Sequence, residues 1–265
     1  MSDREGQNET VRTVAVSGSA SGIGAAIRAR LEADGSRVIG IDLHDADVIA
    51  DLAAPAGRSR ALAAIRAACA GRLDGHVACA GVGPHVEPSA TIASVNYFGA
   101  QGLLAGLREA LALGAAPAAV AVGSNSASMP GVDSPIVAAC LAADEDEARR
   151  LALEIAGHQV YAGSKLALLR WVRRNAPTPA WAGAGVRLNA VAPGPVRTPL
   201  LDGGLAHTLY GDAIRNFPVP LGGFGAPEQI AAAVAFLLGP QSAFCSGSVL
   251  FVDGGTDALV RPDAL

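Results

Sequence analysis

The sequence predicts a single α/β domain built on a doubly wound parallel sheet with helices on both faces. Short Val/Ile-rich runs alternate with longer Ala/Leu-rich stretches along the chain, as expected of strands covered on both faces and joined by crossover helices. The 265 residues are 51% hydrophobic and 17% charged, with a mean hydropathy of +0.34, a composition that favours a filled core over disorder. No linker, repeat or composition shift interrupts the pattern, so one domain is expected over 13–265, behind a loose polar tail at 1–12.

Taken in order, "TVAVSG" (13–18) and "RVIGID" (37–42) read as the first two strands, with an Ala/Ile/Leu-rich helix between them. "GHVACAG" (75–81), "AAVAVGS" (118–124), "GVRLNAVAPG" (185–194) and "GSVLFVDGG" (247–255) supply four more. Segments near 58–70, 92–113, 161–176 and 227–238 carry helical patterns. Aromatics make up only 4% of the chain, so packing must come from close helix–sheet contacts.

Bulk properties exclude several functions. Net charge is −4 with no basic run, which argues against a nucleic-acid partner. No stretch of about 20 apolar residues offers a membrane span, and "MSDREGQNET" has no apolar core, so no secretory signal is expected. Cys69, Cys79, Cys140 and Cys245 are scattered without a C-x-x-C pair, as reduced thiols of a cytoplasmic protein would be. The five histidines lack metal-binding spacing, so no metal is expected.

The first strand runs into "SGSASGIGAAI", placing Gly18, Gly22 and Gly24 in a G-x-x-x-G-x-G turn that opens a helix. Glycines permit the tight turn and let backbone approach a pyrophosphate, whose charge the helix N-terminus holds. With 32 glycines the spacing alone is weak; its strand–turn–helix setting and an acid 18 residues beyond Gly24 make it specific. That acid, Asp42, can bind both adenosine ribose hydroxyls and repel the extra phosphate of NADP. Ser21 stands where a Lys or Arg would attract that phosphate. NAD(H) is therefore the expected cofactor; the plain alternative has Asp42 capping a turn.

"QVYAGSKLALLR" (159–170) sets Tyr161 and Lys165 four positions apart at the start of an apolar helical run. On a helix they share a face, so the ammonium can favour phenolate and suit Tyr161 to acid/base work near neutral pH. In isolation the pair reads more readily as a surface Tyr and a solvated Lys, and the rest of the chain has to reverse that reading.

These pieces together resemble the short-chain dehydrogenase/reductase family, from about Thr13 to the C-terminus. The resemblance implies a Rossmann-type fold. The family's T-G-x-x-x-G-x-G appears as "SGSASGIG", with Ser17 for the usual Thr and with Gly18, Ser21, Gly22, Ile23 and Gly24 as cofactor contacts. Its N-A-G segment corresponds to Cys79–Ala80–Gly81, where cysteine replaces an amide that ties neighbouring strands, which puts local stability in doubt. "SVNYFGA" supplies Asn96, "VGSNSAS" places Ser124 at the catalytic serine position ahead of Ser126 and Ser128, and Tyr161 and Lys165 fit Y-x-x-x-K. "APGPVRTPL" is similar to the segment folded over the nicotinamide, with Pro193, Gly194, Val196 and Thr198 as contacts.

Ser124 and Tyr161 are 37 positions apart, against about a dozen in most of the family. An insert at about 130–158 fills the difference, and its charge run at 144–150 reads as a solvated helix face. With "IGIDLHDADVIADL" and the ending "DGGTDALVRPDAL", it gives a resemblance to the 3α-hydroxysteroid dehydrogenase/carbonyl reductase group, in which Asp51 and Leu52 would flank the adenine. The family's usual tetramer packs helices on either side of the insertion point; a homo-oligomer is expected, with the insert blocking one interface to leave a homodimer and the tetramer as the alternative.

The implied chemistry is reversible hydride transfer between NAD(H) and a secondary alcohol or ketone. Tyr161 is the expected proton donor and acceptor, Ser124 hydrogen-bonds the carbonyl oxygen, Asn96 fixes a relay water, and Lys165 lowers the tyrosine pKa and binds the nicotinamide ribose. Bringing Tyr161 from ~10 to ~7 requires about 4 kcal/mol. A lid at about 199–225 offers Leu200, Leu201, Leu205, Tyr210 and Phe217 either as walls for a steroid or other bulky ketone, or as lid packing; His207 reads as a surface residue. Small cyclic, terpene or xenobiotic ketones are the alternative substrates. A non-catalytic NAD-binding regulator conflicts with the complete tetrad, and an acyl-carrier-linked reductase with Asp42 and the net acidity.

Overall fold

A computed structural model of the chain describes residues 11–264. Most of the expected N-terminal tail, residues 1–10, lies outside the described residues. Arg12 is not loose: it donates to the Leu238 carbonyl at 3.1 Å and the Asp74 carbonyl at 3.0 Å.

Seven strands, β1 (Thr13–Ser17), β2 (Arg37–Asp42), β3 (Val48–Ile49), β4 (Gly75–Ala78), β5 (Ala118–Val122), β6 (Arg187–Pro193) and β7 (Val249–Val252), form one sheet. Its order is β3-β2-β1-β4-β5-β6-β7 with every pairing parallel. β3 has only two residues, too short to leave a sequence pattern. The expected strands at 75–81 and 118–124 end early, at Ala78 and Val122, because the chain turns out of the sheet there to wall a cleft.

The connecting helices are α1 (Gly22–Ala33), α2 (Pro55–Ala68), α3 (Ala90–Ala93), α4 (Ala100–Ala112), α5 (Pro135–Leu141), α6 (Glu145–Ala152) and α7 (Gly157–Asn175). Beyond β6 come α8 (Pro199–Ala206), α9 (Gly211–Arg215), α10 (Pro227–Leu238) and α11 (Thr256–Val260). A π-helical turn, Ser94–Gly99, joins α3 to α4.

Alternation along β1 sends Val14 and Val16 to one face and Ala15 to the other. On the first face they meet Ile27 and Leu31 of α1 and Val234 and Leu237 of α10. On the second lie Ile65 of α2, Leu103 and Leu107 of α4, and Leu168 of α7. Each such Leu, Ile or Val contributes roughly 1.5–3 kcal/mol on full burial. At the C-terminal end of α10 the guanidinium of Arg187 donates to the carbonyls of Leu237 (2.8 Å), Leu238 (3.3 Å), Gly239 (3.2 Å) and Ser242 (3.0 Å). With Arg12 it satisfies carbonyls that the helix leaves unpaired and opposes the negative end of its dipole.

The insert forms α5 and α6, packed on α7 and α3. The reading of 144–150 as a solvated face needs correction. Arg150 does face solvent, paired with Glu147 (2.7 Å) and Glu154 (2.6 Å). Glu145, however, is turned inward onto Arg58 of α2, and Arg149 donates to the Ser94 hydroxyl at 2.7 Å. A helix of eight residues has more than one face, and a run of charges does not say which are shielded.

Candidate active site

A cleft of about 800 Å³ opens at the carboxyl ends of β1, β2, β4, β5 and β6, where a doubly wound sheet places its ligand. Its floor is the turn between β1 and α1. Gly18 has φ +73°, and a Cβ there would stand 2.8 Å from the Ala80 main chain. At Gly24 a Cβ would lie 1.9 Å from the Gly18 carbonyl oxygen. Only glycine lets the turn close this tightly against the neighbouring strand. Ser21, Gly22 and Ile23 line the cleft beside them.

Cys79 does not leave β1 and β4 untied. The Ser17 hydroxyl oxygen accepts from Cys79 N (3.1 Å) and Ala80 N (3.2 Å), so the residue that replaces the family threonine makes the link. The Asp42 carboxylate lines the cleft and accepts from Ala20 N (2.9 Å) and Leu43 N (2.7 Å). Both readings of Asp42 therefore meet: it holds the glycine turn and faces the ligand space. Asp51 and the buried Leu52 wall the same end, and Cys79, Ala80, Gly81, Pro193, Gly194, Val196 and Thr198 line the middle.

The other end carries the titratable groups. α7 starts at Gly157, so Tyr161 and Lys165 sit one turn apart on its cleft side. Lys165, 4% exposed, donates from Nζ to the Val122 carbonyl at 2.9 Å. Burial lowers its pKa to about 8, with the nearby Cys79 sulfur opposing the shift. Burial pushes the Cys79 thiol up to about 12, against Lys165. Tyr161 departs from expectation: burial raises its pKa, a hydrogen bond with Ser124 opposes that, and Lys165 is not among the causes. Desolvation of the phenol wins because the ammonium is turned to Val122.

Ser124 is buried and caps a short 3-10 turn over Asn125–Ser128. Its oxygen accepts from Ser126 N (3.2 Å) and Ser126 Oγ (3.0 Å). Ser128 instead donates to the Asn125 carbonyl at 2.8 Å, which removes it from the three candidates. Asn96 lies fully buried inside the π-turn and does not reach the cleft. Its Oδ1 accepts from Val82 N (2.8 Å) and its Nδ2 donates to the Val82 carbonyl (3.0 Å). A Cβ at Gly81 would lie 3.2 Å from Asn96 Oδ1 and 3.4 Å from Lys165 Nζ, so the two groups converge behind that glycine.

The segment after β6 covers the opening. Thr198 caps α8, its Oγ1 accepting from Leu201 N at 3.2 Å, and Leu200, Leu201, Tyr210 and Phe217 line the cleft, whereas Leu205 does not. His207 is not a free surface residue: its ring stacks on Tyr210 at 4.9 Å and lies 6.3 Å from that of His85. Sequence reading missed Leu209 and Ile214 of the lid and Met129, Pro130 and Val132 of the insert as wall residues. It also missed His158, which precedes Tyr161 by three positions, a spacing that shares a helix face.

Among the described residues no cluster of three His, Cys, Asp or Glu could hold a metal, and no helix is long and apolar enough to cross a membrane.

A family profile described as enoyl-(acyl carrier protein) reductase matches residues 152–257. The chain is 44% identical to a 3-alpha-hydroxysteroid dehydrogenase/carbonyl reductase of Comamonas testosteroni, over 94% of this chain and 98% of that protein. The crystal structure of the 3-alpha-hydroxysteroid dehydrogenase from Pseudomonas sp. B-0831, complexed with NADH, superposes with a TM-score of 0.93 at 52% identity, covering 96% of this chain and 100% of that one. Thermoplasma acidophilum aldohexose dehydrogenase shares the fold alone, with a TM-score of 0.72 at 23% identity over 96% of this chain and 95% of that one. With a glycine turn, Asp42, Ser124, Tyr161 and Lys165 in one cleft and this similarity end to end, the chain belongs to the short-chain dehydrogenase/reductase family.

Proposed function

We propose that the protein catalyses reversible hydride transfer between NAD(H) and a secondary alcohol or ketone, and that its substrate is a 3α-hydroxysteroid or a similarly bulky alicyclic carbonyl. The observation that carries this reading is the convergence of Tyr161, Ser124 and Lys165 with the glycine turn and Asp42 on one cleft. The turn at Gly18 and Gly24, which closes against Ala80 and the Gly18 carbonyl too tightly for any Cβ, fits a pyrophosphate at the start of α1, and Asp42 fits an unphosphorylated adenosine ribose. When bound, the nicotinamide supplies or takes up the hydride.

The chain's own residues handle the proton and the oxygen. A Tyr161 pKa raised by burial keeps the phenol protonated at neutral pH, the state needed to protonate a developing alkoxide. In the oxidative direction Tyr161 must lose its proton, so the rate rises with pH. Ser124 donates to the substrate oxygen, where charge grows in the transition state. Lys165 orients the nicotinamide ribose and draws the phenol toward ionisation once the ammonium leaves Val122. Asn96 holds the Val82 main chain and, with Lys165 behind Gly81, frames a route for proton exchange.

Substrate bulk is supported by the apolar walls: Leu200, Leu201, Leu209, Ile214 and Phe217 from the lid, facing Met129 and Val132 from the insert. The relatives named above point to the same class. For assembly, β7 is an edge strand with Leu250 exposed, and Phe236, Phe244 and Leu259 of the C-terminal part of the chain are exposed as well. With α5 and α6 covering α7, this edge is the surface through which a homodimer forms, read by light scattering.

The test is NADH oxidation with 3-ketosteroids and smaller cyclic ketones, alongside NADPH and Tyr161→Phe. The expected result is turnover of steroid with NADH that drops by ~10²–10⁴ in Tyr161→Phe, with NADH affinity kept. NADH binding without steroid turnover overturns the substrate; unchanged turnover in Tyr161→Phe overturns the mechanism.

A further inference from the structure

A partly buried ion pair outside the cleft ties the insert to both ends of the site. Arg58 of α2 donates from Nη1 to Glu145 Oε1 at 3.1 Å, to the Leu52 carbonyl at 3.3 Å and to the Ser94 carbonyl at 3.5 Å. Its Nη2 pairs with the other Glu145 carboxylate oxygen. The two side chains keep only 11% and 20% exposure. Arg149, one turn further along α6, donates to Ser94 Oγ at 2.7 Å. Ser94 is thus gripped through its carbonyl by Arg58 and through its hydroxyl by Arg149.

The held residues lead to the site on both sides. Ser94 begins the π-turn, a rare element that concentrates at functional sites. Two residues on, Asn96 fixes the Val82 main chain and meets Lys165 behind Gly81. Leu52 walls the cleft at the Asp42 end. It also packs on the far end of the same turn, where a Cβ at Gly99 would lie 3.2 Å from Leu52 Cβ. The planar guanidinium meets both Glu145 carboxylate oxygens through two nitrogens held in one rigid plane, a two-point contact that the point charge of an ammonium does not make.

We infer that Arg58, anchored by Glu145 of the insert, is a positioning residue: it sets the π-turn that carries Asn96 and the Leu52 wall against which the nucleotide binds. The insert is then a working part of the site. The inference rests on the NAD(H) reading of the cleft.

The test variant is R58M/E145L, which replaces the partly buried pair by apolar side chains and so strands no charge. Two measurements are made on the full chain: amide hydrogen exchange, and the Kd for NADH by fluorescence titration. Exchange over 94–99 and 50–53 is expected to quicken by about tenfold in the cofactor-free protein. The Kd for NADH is expected to rise by roughly fivefold to tenfold. Glu145→Gln, which keeps the shape and removes the charge, is expected to show the same pattern at about twofold to threefold and serves if the double variant does not fold. Arg58→Lys is expected to fall between Glu145→Gln and the double variant.

Unchanged exchange in both segments overturns the inference. Faster exchange with an unchanged Kd also overturns it, by making the pair a structural tie alone. If the wild-type protein itself does not bind NADH, the cofactor reading falls, and the exchange measurement alone then decides whether the pair holds the turn.

Discussion

Lys165 Nζ donates to the main-chain carbonyl of Val122, the last residue of β5, at 2.9 Å. One hydrogen bond to a neutral acceptor does not offset the removal of an ammonium from water, and burial lowers the Lys165 pKa to about 8. Its charge is held at a cost to stability, one helical turn from Tyr161.

The first prediction follows from that cost. Unfolded, Lys165 titrates near ~10.4. Between pH 8 and that value the unfolded chain binds more protons than the folded one, so stability rises with pH across the window; below pH 8 the full penalty is present. Lys165→Met is expected to raise the urea midpoint at pH 7, worth about 3 kcal/mol, with the gain vanishing near pH 10.5. Turnover should fall by ~10²–10⁴. A midpoint at pH 7 no higher than wild type refutes the account.

Asp42 separates cofactor choice from loop geometry. Asp42→Asn keeps an acceptor for Ala20 N but removes the negative charge. The ratio of kcat/KM for NADPH over NADH is expected to rise roughly tenfold, about 1.4 kcal/mol. Steady-state kinetics with both cofactors decide it; an unchanged ratio means that Asp42 repels nothing.

His76 sets an acid limit. It is fully buried on β4, its Nδ1 lies 3.1 Å from the Ala15 carbonyl oxygen, and its Nε2 has no partner among the described residues. Burial lowers its pKa to about 4, while the unfolded residue titrates near ~6.5. The unfolded chain therefore binds more protons from pH 6.5 down to 4, and stability is lost as pH falls through that interval, by about 3 kcal/mol in total. In His76→Leu the urea midpoint is expected to vary less over the same interval. An equal slope assigns acid sensitivity to other groups.

Arg187 bonds the carbonyls that end α10, alongside Arg12. Arg187→Met leaves those carbonyls unpaired under cover and is expected to remove about 2–4 kcal/mol of stability in urea unfolding. NADH affinity should be unchanged, because the end of α10 lies away from the cleft. A loss under about 1 kcal/mol would show that water replaces the guanidinium.

The sheet and the chemistry-bearing residues were legible because each leaves a local signature. Val/Ile runs mark doubly covered strands, glycine spacing marks the turn, and Tyr161 and Lys165 share a helix face by spacing alone. What stayed hidden depends on contacts remote in sequence. Arg58 and Glu145 are 87 positions apart, and nothing local distinguishes Glu145 from the exposed Glu154. Spacing gives the proximity of Tyr161 to Lys165 but not the direction in which the ammonium points, nor the burial that raises the pKa of the phenol. Ser17 making good the missing asparagine at Cys79 is a further long-range exchange, across 62 positions.

The all-parallel register has a consequence for the chain as it is being made. No neighbouring pair can close as a hairpin; β1 pairs with β2 and then waits for β4, whose first paired residue is Gly75. Gly194 of the cleft packs against Asp253, where a Cβ would lie 2.8 Å from the Asp253 Cα. The cleft thus stays unfinished until the final strand has left the ribosome, and a growing polypeptide with its glycine turn already folded still lacks the opposite wall. Ligand capture has to wait for that strand, and until then the half-built sheet exposes an apolar edge that the folded domain hides.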